Sequence, residues 1–353
     1  MKDSILTVVL PTYNRAERLR KSLSNYLEAQ ESEKIEFIII DNNSEDKTVE
    51  VIKWFVKKYP NISHIQNKVN LGGNRSLFKV FLEVTTEYFM ILADDDFITD
   101  GFFKLILDSI EKNPTAGVIN HAPQNEVESG QYKQNTILAK TTLLKKGVEA
   151  FQITFAASGA IPGIVYKTNV INQEAWLLDN SIYPQIRLAT EIAINHDVLY
   201  IVSNESTLIP KNDNISQIWT SRPLDYGIIE KLQILLDVSK KLPEIERENT
   251  IQKLSGSLFS WASSIFCIMY KEDKEHAFKF FNELIKNKFI RSSSLFWIVS
   301  GRGIVLNKEI NFQDKTAFIL KFVISIFKSI HNKNLYVSGL YLINKGIYVI
   351  KKK

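Results

Sequence analysis

The chain has one cysteine in 353 residues, Cys267, so no disulfide can form within it. A chain that does without disulfides suits a reducing compartment. It lacks any uninterrupted apolar run of the roughly 18 residues that a membrane-spanning helix needs, so no transmembrane helix is expected. The opening Met1-Lys2-Asp3-Ser4 runs directly into a strand-like segment, without the basic stretch and long apolar core of a secretory signal. A cytoplasmic location is therefore expected. Charge of one sign is in only mild excess, +5 overall. That is too sparse for the dense basic surface of a nucleic-acid binder, and no nucleic-acid partner is expected. Internal repeats and low-complexity tracts are also missing. With 45% apolar residues the chain can bury a proper core, and its length allows two domains or one domain with a large extension.

Against these absences one cluster stands out. Leu92-Ala93-Asp94-Asp95-Asp96-Phe97 places three successive carboxylates after the apolar run Tyr88-Phe89-Met90-Ile91-Leu92. Like charges this close raise one another's pKa unless a cation neutralises them. The hard cations Mg2+ and Mn2+ take such oxygen ligands, commonly one or two carboxylates plus a substrate phosphate. The pattern points to a metal-dependent site for a phosphorylated ligand. The plainer alternative is a solvated acidic turn leading into a helix at Phe102.

The first half alternates strand and helix patterns. Ile5 to Leu10 is an apolar, β-branched run, interrupted by Pro11-Thr12-Tyr13-Asn14-Arg15. Ala16 to Gln30 carries Leu19, Leu23, Tyr26 and Leu27 at helical spacing. Phe37 to Ile40 is a second buried strand, ending at Asp41-Asn42-Asn43-Ser44. Lys47 to Tyr59 is helical and stops at Pro60; Ser63 to Gln66 is a short strand, and Asn74 to Val84 is helical. Alternation of this kind gives a mostly parallel sheet with helices on both faces. Ligands bind such sheets at the carboxyl ends of the strands. The clusters at Thr12 to Arg15, Asp41 to Ser44 and Asp94 to Asp96 should therefore converge on one crevice. Past Asn120 the pattern loosens: Gln124 to Asn135 reads as a loop or hairpin, with strands at Ile164 to Tyr166 and Leu199 to Ser203. A domain boundary is expected near Arg222-Pro223, giving domains of residues 1–222 and 223–353, the second helical.

Four motifs in order resemble the family 2 glycosyltransferases of GT-A fold: Val8-Val9-Leu10-Pro11-Thr12-Tyr13-Asn14-Arg15, Ile40-Asp41-Asn42-Asn43-Ser44-Glu45-Asp46, Asn70-Leu71-Gly72-Gly73, and Leu92-Ala93-Asp94-Asp95-Asp96. Each is weak alone; the order is what makes them specific. The resemblance covers roughly residues 4 to 220; it is strong for the first hundred residues and weak after Asn120. Its nearest flavour is that of bacterial O-antigen and capsule transferases of abequosyltransferase-like or rhamnosyltransferase-like type. It implies an α/β fold binding a nucleotide-sugar donor of UDP, dTDP or CDP type, with Mn2+ or Mg2+ as cofactor. It implies an acceptor that is a glycan or a polyprenyl-linked lipid in surface polysaccharide synthesis, and transfer with inversion.

The resemblance also implies roles. Pro11, Thr12, Tyr13 and Arg15 match the loop that holds base and ribose, with Tyr13 stacking on the base and Arg15 reaching a phosphate. Asp41 and Asn42 match the pair that reads the base; an acid is usual where Asn42 stands. Arg75, behind Gly72-Gly73, is placed to meet the diphosphate. Asp96 matches the direct metal ligand, Asp94 a contact to donor and metal, and Asp95 a supporting acid. Each has a structural alternative: Tyr13 as an aromatic at a helix start, Asn43-Ser44 as a helix cap, Arg75 as a surface arginine. The acid pair that usually supplies the general base is missing from Ser181-Ile182-Tyr183-Pro184-Gln185-Ile186-Arg187-Leu188. Asp179 is the candidate base, with Glu191 and Asp197 behind it; for Asp179 the alternative is a loop or cap residue. Lys211 to Ser216 falls where the family carries a polar loop over the site.

Other functions fit less well. A nucleotidyltransferase calls for a glycine-rich basic loop after the first strand, which Pro11 to Arg15 does not provide. A haloacid-dehalogenase-type phosphatase calls for aspartates where Thr12 and Tyr13 stand. A non-catalytic nucleotide-sugar-binding or partner subunit remains the alternative, given the missing acid pair. Further along, Leu254 to Tyr270 has core spacing. Lys315 to Lys328 and Asn332 to Lys353 mix aromatics with lysines, as helices lying on an anionic membrane do. Peripheral contact with the inner face of the plasma membrane, a packed helical bundle and a homo-oligomer interface are the readings of that region.

Overall fold

The computed structural model describes residues 4–78, 83–128, 130–134, 136–159, 161–173, 183–210, 224–286 and 290. The chain divides into two compact units, Met1–Asp213 and Asn214–Lys353.

The first unit is built on an eight-stranded sheet of order β3-β2-β1-β4-β10-β6-β11-β9. Its strands are β1 (Leu6–Thr12), β2 (Glu36–Asp41), β3 (Ile62–Gln66), β4 (Tyr88–Ile91), β6 (Ala116–His121), β9 (Thr142–Leu144), β10 (Val165–Lys167) and β11 (Asp197–Ile201). β1 pairs in parallel with β2 and β4, and β2 with β3. β10 runs antiparallel between β4 and β6, and β11 is again parallel to β6. The carboxyl ends of β1, β2, β3, β4, β6 and β11 therefore lie along one edge.

Continuous apolar runs form these strands because both faces are covered, as in parallel sheets generally. In β1, Leu6, Val8 and Leu10 enter one core with Leu19, Leu23, Val51, Ile52 and Phe102, while Val9 enters the other with Leu77, Leu188 and Ala189. So α1 (Ala16–Glu28), α2 (Thr48–Lys58) and α4 (Phe102–Lys112) cover one face. On the other lie α3 (Gly73–Phe78), α5 (Val148–Ala157) and α6 (Pro184–Asn195). Each fully buried Leu or Ile on these faces contributes roughly 1.5–3 kcal/mol.

A second sheet of four short strands, β5-β12-β7-β8, was not expected from the sequence. The expected hairpin does form, β7 (Gln124–Glu128) with β8 (Gln131–Gln134). It joins β12 (Thr207–Ile209), which pairs with β5 (Phe97–Ile98), the strand that directly follows the acid run.

In the second unit, α7 (Leu224–Val238), α8 (Glu244–Glu272) and α9 (Lys274–Lys286) bury Leu232, Leu235, Leu258, Phe259, Phe266, Phe281 and Leu284. Arg247 donates to the carbonyls of Ser239, Lys240 and Leu242 just beyond α7. No helix among the described residues is long and apolar enough to cross a membrane. The basic segments 315–328 and 332–353, proposed above for membrane contact, lie outside the described residues, as do Asp179 and the 211–216 loop.

Candidate active site at the carboxyl edge of the sheet

Three expected clusters, following β1, β2 and β4, meet at this edge. The first two loops are knitted together. Asn14, with a left-handed φ of 51°, donates its N–H to Ser44 Oγ (2.9 Å) and accepts from the Glu45 N–H through Oδ1 (2.8 Å). The α1 N-terminus is satisfied from the other loop: Arg15 N–H donates to Thr48 Oγ1 (3.0 Å) and Ala16 N–H to Asp46 Oδ2 (3.3 Å). Free helix N-termini need such acceptors. Here the caps fix Thr12 to Arg15 relative to Asp41 to Ser44.

The acid run is tied to the first loop by side chains. Thr12 Oγ1 donates to Asp94 Oδ2 (2.7 Å), and Arg15 Nη1 donates to Asp94 Oδ1 (2.7 Å) and Asp95 Oδ2 (3.0 Å). Arg18 reaches Asp95 at 3.3 Å. Both oxygens of the buried Asp94 are thus engaged. Asp96 differs: it is 7% exposed, and no described residue donates to its carboxylate or pairs with it. Burial, then Asp95 and Asp94, push its carboxyl up to about 8 against a weaker opposing pull from Arg15.

Helix α1 holds the backbone of this run from below. Ser22 Oγ donates to the Asp94 carbonyl (3.1 Å), and the Tyr26 hydroxyl lies 2.7 Å from the Ala93 carbonyl and 2.9 Å from that of Asp96. Asn25 exchanges two bonds with the Ile98 backbone. Burial first, then Asp96, Asp94 and Asp95, raise the Tyr26 phenol well above its ordinary range, so it stays a donor. Sequence reading took Tyr26 only as core and missed Ser22 and Asn25. The available signal was their spacing of three and four on the stripe that also carries Leu19 and Leu23.

The remaining candidates fall as follows. Pro11 is half-buried in β1 opposite Ile40, and Tyr13 beyond it is 40% exposed. Asp41 is fully buried and accepts the Ser44 N–H through both oxygens. Asn42 is committed to the 67–73 loop: its amide donates to Asn70 and accepts from Asn67 Nδ2 and the Leu71 N–H. Arg75 is exposed on α3 and forms no ion pair with a described residue. Glu191 lies on α6, 4.0 Å from Arg187. Asp197, a fallback base, is misplaced for that role: it is the first residue of β11, on the opposite edge, held below the usual carboxylate range by Lys145 and neighbouring donors.

Among the described residues no group of three His, Cys, Asp or Glu side chains is placed to hold a metal. Asp96 nevertheless fits a cation of the Mg2+ class, which needs only one or two carboxylates when phosphate and water complete its shell.

A sheet with this order and an acid run at its middle strand is that of a GT-A protein. In S. aureus TarS 1-349 in complex with UDP-GlcNAc, the fold matches with a TM-score of 0.60 over 85% of this chain and 86% of that one, at 15% identity. The mannosyltransferase PcManGT of Pyrobaculum calidifontis, in complex with GDP-Man and Mn2+, matches at 0.50 over 98% and 87%, at 12% identity. Residues 7–170, a little under half of the chain, match the model of Glycosyl transferase family 2. A Trichomonas vaginalis relative, dolichyl-phosphate beta-glucosyltransferase ALG5A, is 30% identical over 170 residues, 45% of this chain and 49% of that protein. The chain thus spans about half the length of this relative.

Proposed function

We propose that the chain is a divalent-cation-dependent glycosyltransferase that moves a sugar from a nucleotide donor to a glycan or lipid-linked acceptor, with inversion. The observation that carries this is the buried Asp96 carboxylate, which has no partner among the described residues, beside two acids already engaged by Arg15, Arg18 and Thr12. Mn2+ or Mg2+ held by Asp96, with the donor diphosphate, would neutralise charge on the departing nucleotide. Asp94 and Asp95 orient Arg15, which with Arg75 faces the diphosphate. Thr12 fixes the Asp94 rotamer. Tyr13 offers a ring to the base. Asp41 shapes the base pocket through its turn, and Asn42 acts by holding the 67–73 loop. Asp179 takes the proton from the acceptor hydroxyl as it attacks the anomeric carbon. A relative named for dolichyl phosphate supports a lipid-linked acceptor; in this reading the transfer serves surface polysaccharide synthesis at the inner face of the plasma membrane.

Thermal stabilisation by UDP, dTDP, CDP and GDP, with and without Mn2+, tests the reading. A metal-dependent rise with one of them is expected and would name the base. No rise with any would favour a non-catalytic subunit.

A further inference from the structure

Three buried polar atoms lack a partner on the face covered by α5 and α6: Asn120 Nδ2, Thr154 Oγ1 and Gln185 Oε1. Their residues are 1%, 0% and 2% exposed. A buried donor or acceptor left unmade costs about 1–3 kcal/mol, so native structures rarely keep one without a water or ligand to meet it. Three in one neighbourhood call for a common explanation.

They are close in the fold. Asn120 is next to last in β6 and on the same face as Val118, which enters the core with Leu188 and Ala189 of α6. Its Oδ1 lies 3.4 Å from Ser158 Oγ, and Ser158 donates its N–H to the Thr154 carbonyl one turn back in α5. Gln185 opens α6, and the hydroxyl of Tyr166, which pairs with Val118 in the ladder, lies 3.4 Å from the Gln185 carbonyl. Asn120 thus sits near the carboxyl edge of the sheet, with Thr154 and Gln185 on the two helices that cover the same face. Only β10 separates β6 from β4, so Asn120 is two strand spacings, about 10 Å, from the strand that carries the acids. That is the reach of a diphosphate plus part of one sugar ring.

We propose that Asn120, Thr154 and Gln185 form the subsite that reads the hydroxyl groups of the donor's sugar. An amide N–H, a hydroxyl and an amide carbonyl present one donor, one donor-acceptor and one acceptor. Sugar hydroxyls, which both give and accept, satisfy all three; an ionised phosphate, which only accepts, does not. The proposal rests on the glycosyltransferase reading and adds which residues choose the sugar.

Calorimetric titration of UDP, dTDP, CDP and GDP and of their hexose conjugates, with Mn2+, tests it on the full chain and on Gln185→Met and Asn120→Leu. These substitutions keep the volume and remove the polar atoms. Each is expected to weaken the preferred conjugate roughly tenfold, the loss of one hydrogen bond to a buried group, while the free diphosphate is bound as before. Conjugate and diphosphate affinities both unchanged would overturn the subsite and leave ordered water as the partner of these atoms. No binding of any nucleotide by the unaltered chain would overturn the donor site itself, and the subsite with it. Thr154→Val serves the same purpose if either of the first two variants fails to fold.

Discussion

The two halves of the first unit use polar residues in different ways. In the first, at the ends of β1, β2 and β4, nearly every polar side chain has a partner: Thr12, Asn14, Arg15, Asp41, Asn42 and Asp94 are bound to one another's loops. The Asp96 carboxylate and Asn67 Oδ1 are the exceptions there among the described residues. In the second, between β6 and α6, several buried polar atoms have none. A fixed first half suits the part of a donor common to many substrates, and an unsatisfied second half suits the part that varies. The contrast is between a preorganised frame and a buried group of polar atoms whose hydrogen bonds the protein itself leaves unmade.

The sharpest way to break the comparison is Asp96→Asn. It should weaken metal-dependent nucleotide binding by at least about a hundredfold in titration, more than the loss of an outer-shell group. The same change should stabilise the metal-free protein at high pH. Folded Asp96 keeps its proton up to about 8, whereas an unfolded aspartate loses it near 4. The folded state therefore holds more protons between those values, and stability falls as pH rises through that window. Denaturation at pH 8 should show the variant more stable by at least about 1 kcal/mol.

Next in size, Gly163→Ala should destabilise by about 3 kcal/mol, because its φ is +83° and a Cβ would lie 2.3 Å from His121 Cε1. Gly163 N–H binds the Ile91 carbonyl beside the acid run, so nucleotide binding should weaken too. Tyr26→Phe, which removes the hydroxyl between the Ala93 and Asp96 carbonyls, should lose about 1–3 kcal/mol in urea unfolding. Arg18→Ala should change stability by less than about 1 kcal/mol, since its pair with Asp95 is exposed. A large effect there would mean the acid run relies on Arg18 rather than Arg15.

The first half was legible because its signals are local. Apolar runs of four to six residues mark β1, β2 and β4, Pro60 ends α2, and three acids after a strand need no long-range knowledge to notice. The second sheet was not legible for the opposite reason. β5 has two residues and β12 three, too few for alternation to show, and their pairing joins residues more than a hundred apart in sequence. Asn42 stands where the base-reading pair was expected, but only tertiary contact shows its amide committed to Asn67, Asn70 and Leu71. The service of α1 to the acid run was hidden because Tyr26 reads as an ordinary core aromatic. Asp197 was a poor fallback by the same rule that located the site: it opens its strand, at the end away from the carboxyl edge.

The central claim is that Asp96 is the open carboxylate that takes the cation. The direct measurement is Mn2+-dependent affinity for the preferred nucleotide-sugar as a function of pH. Its diphosphate is a diester and does not titrate in the neutral range, so the protein's own proton is what the cation must displace. Affinity should climb about tenfold per pH unit from 6 and level off near 8. A flat profile over that range would contradict the claim.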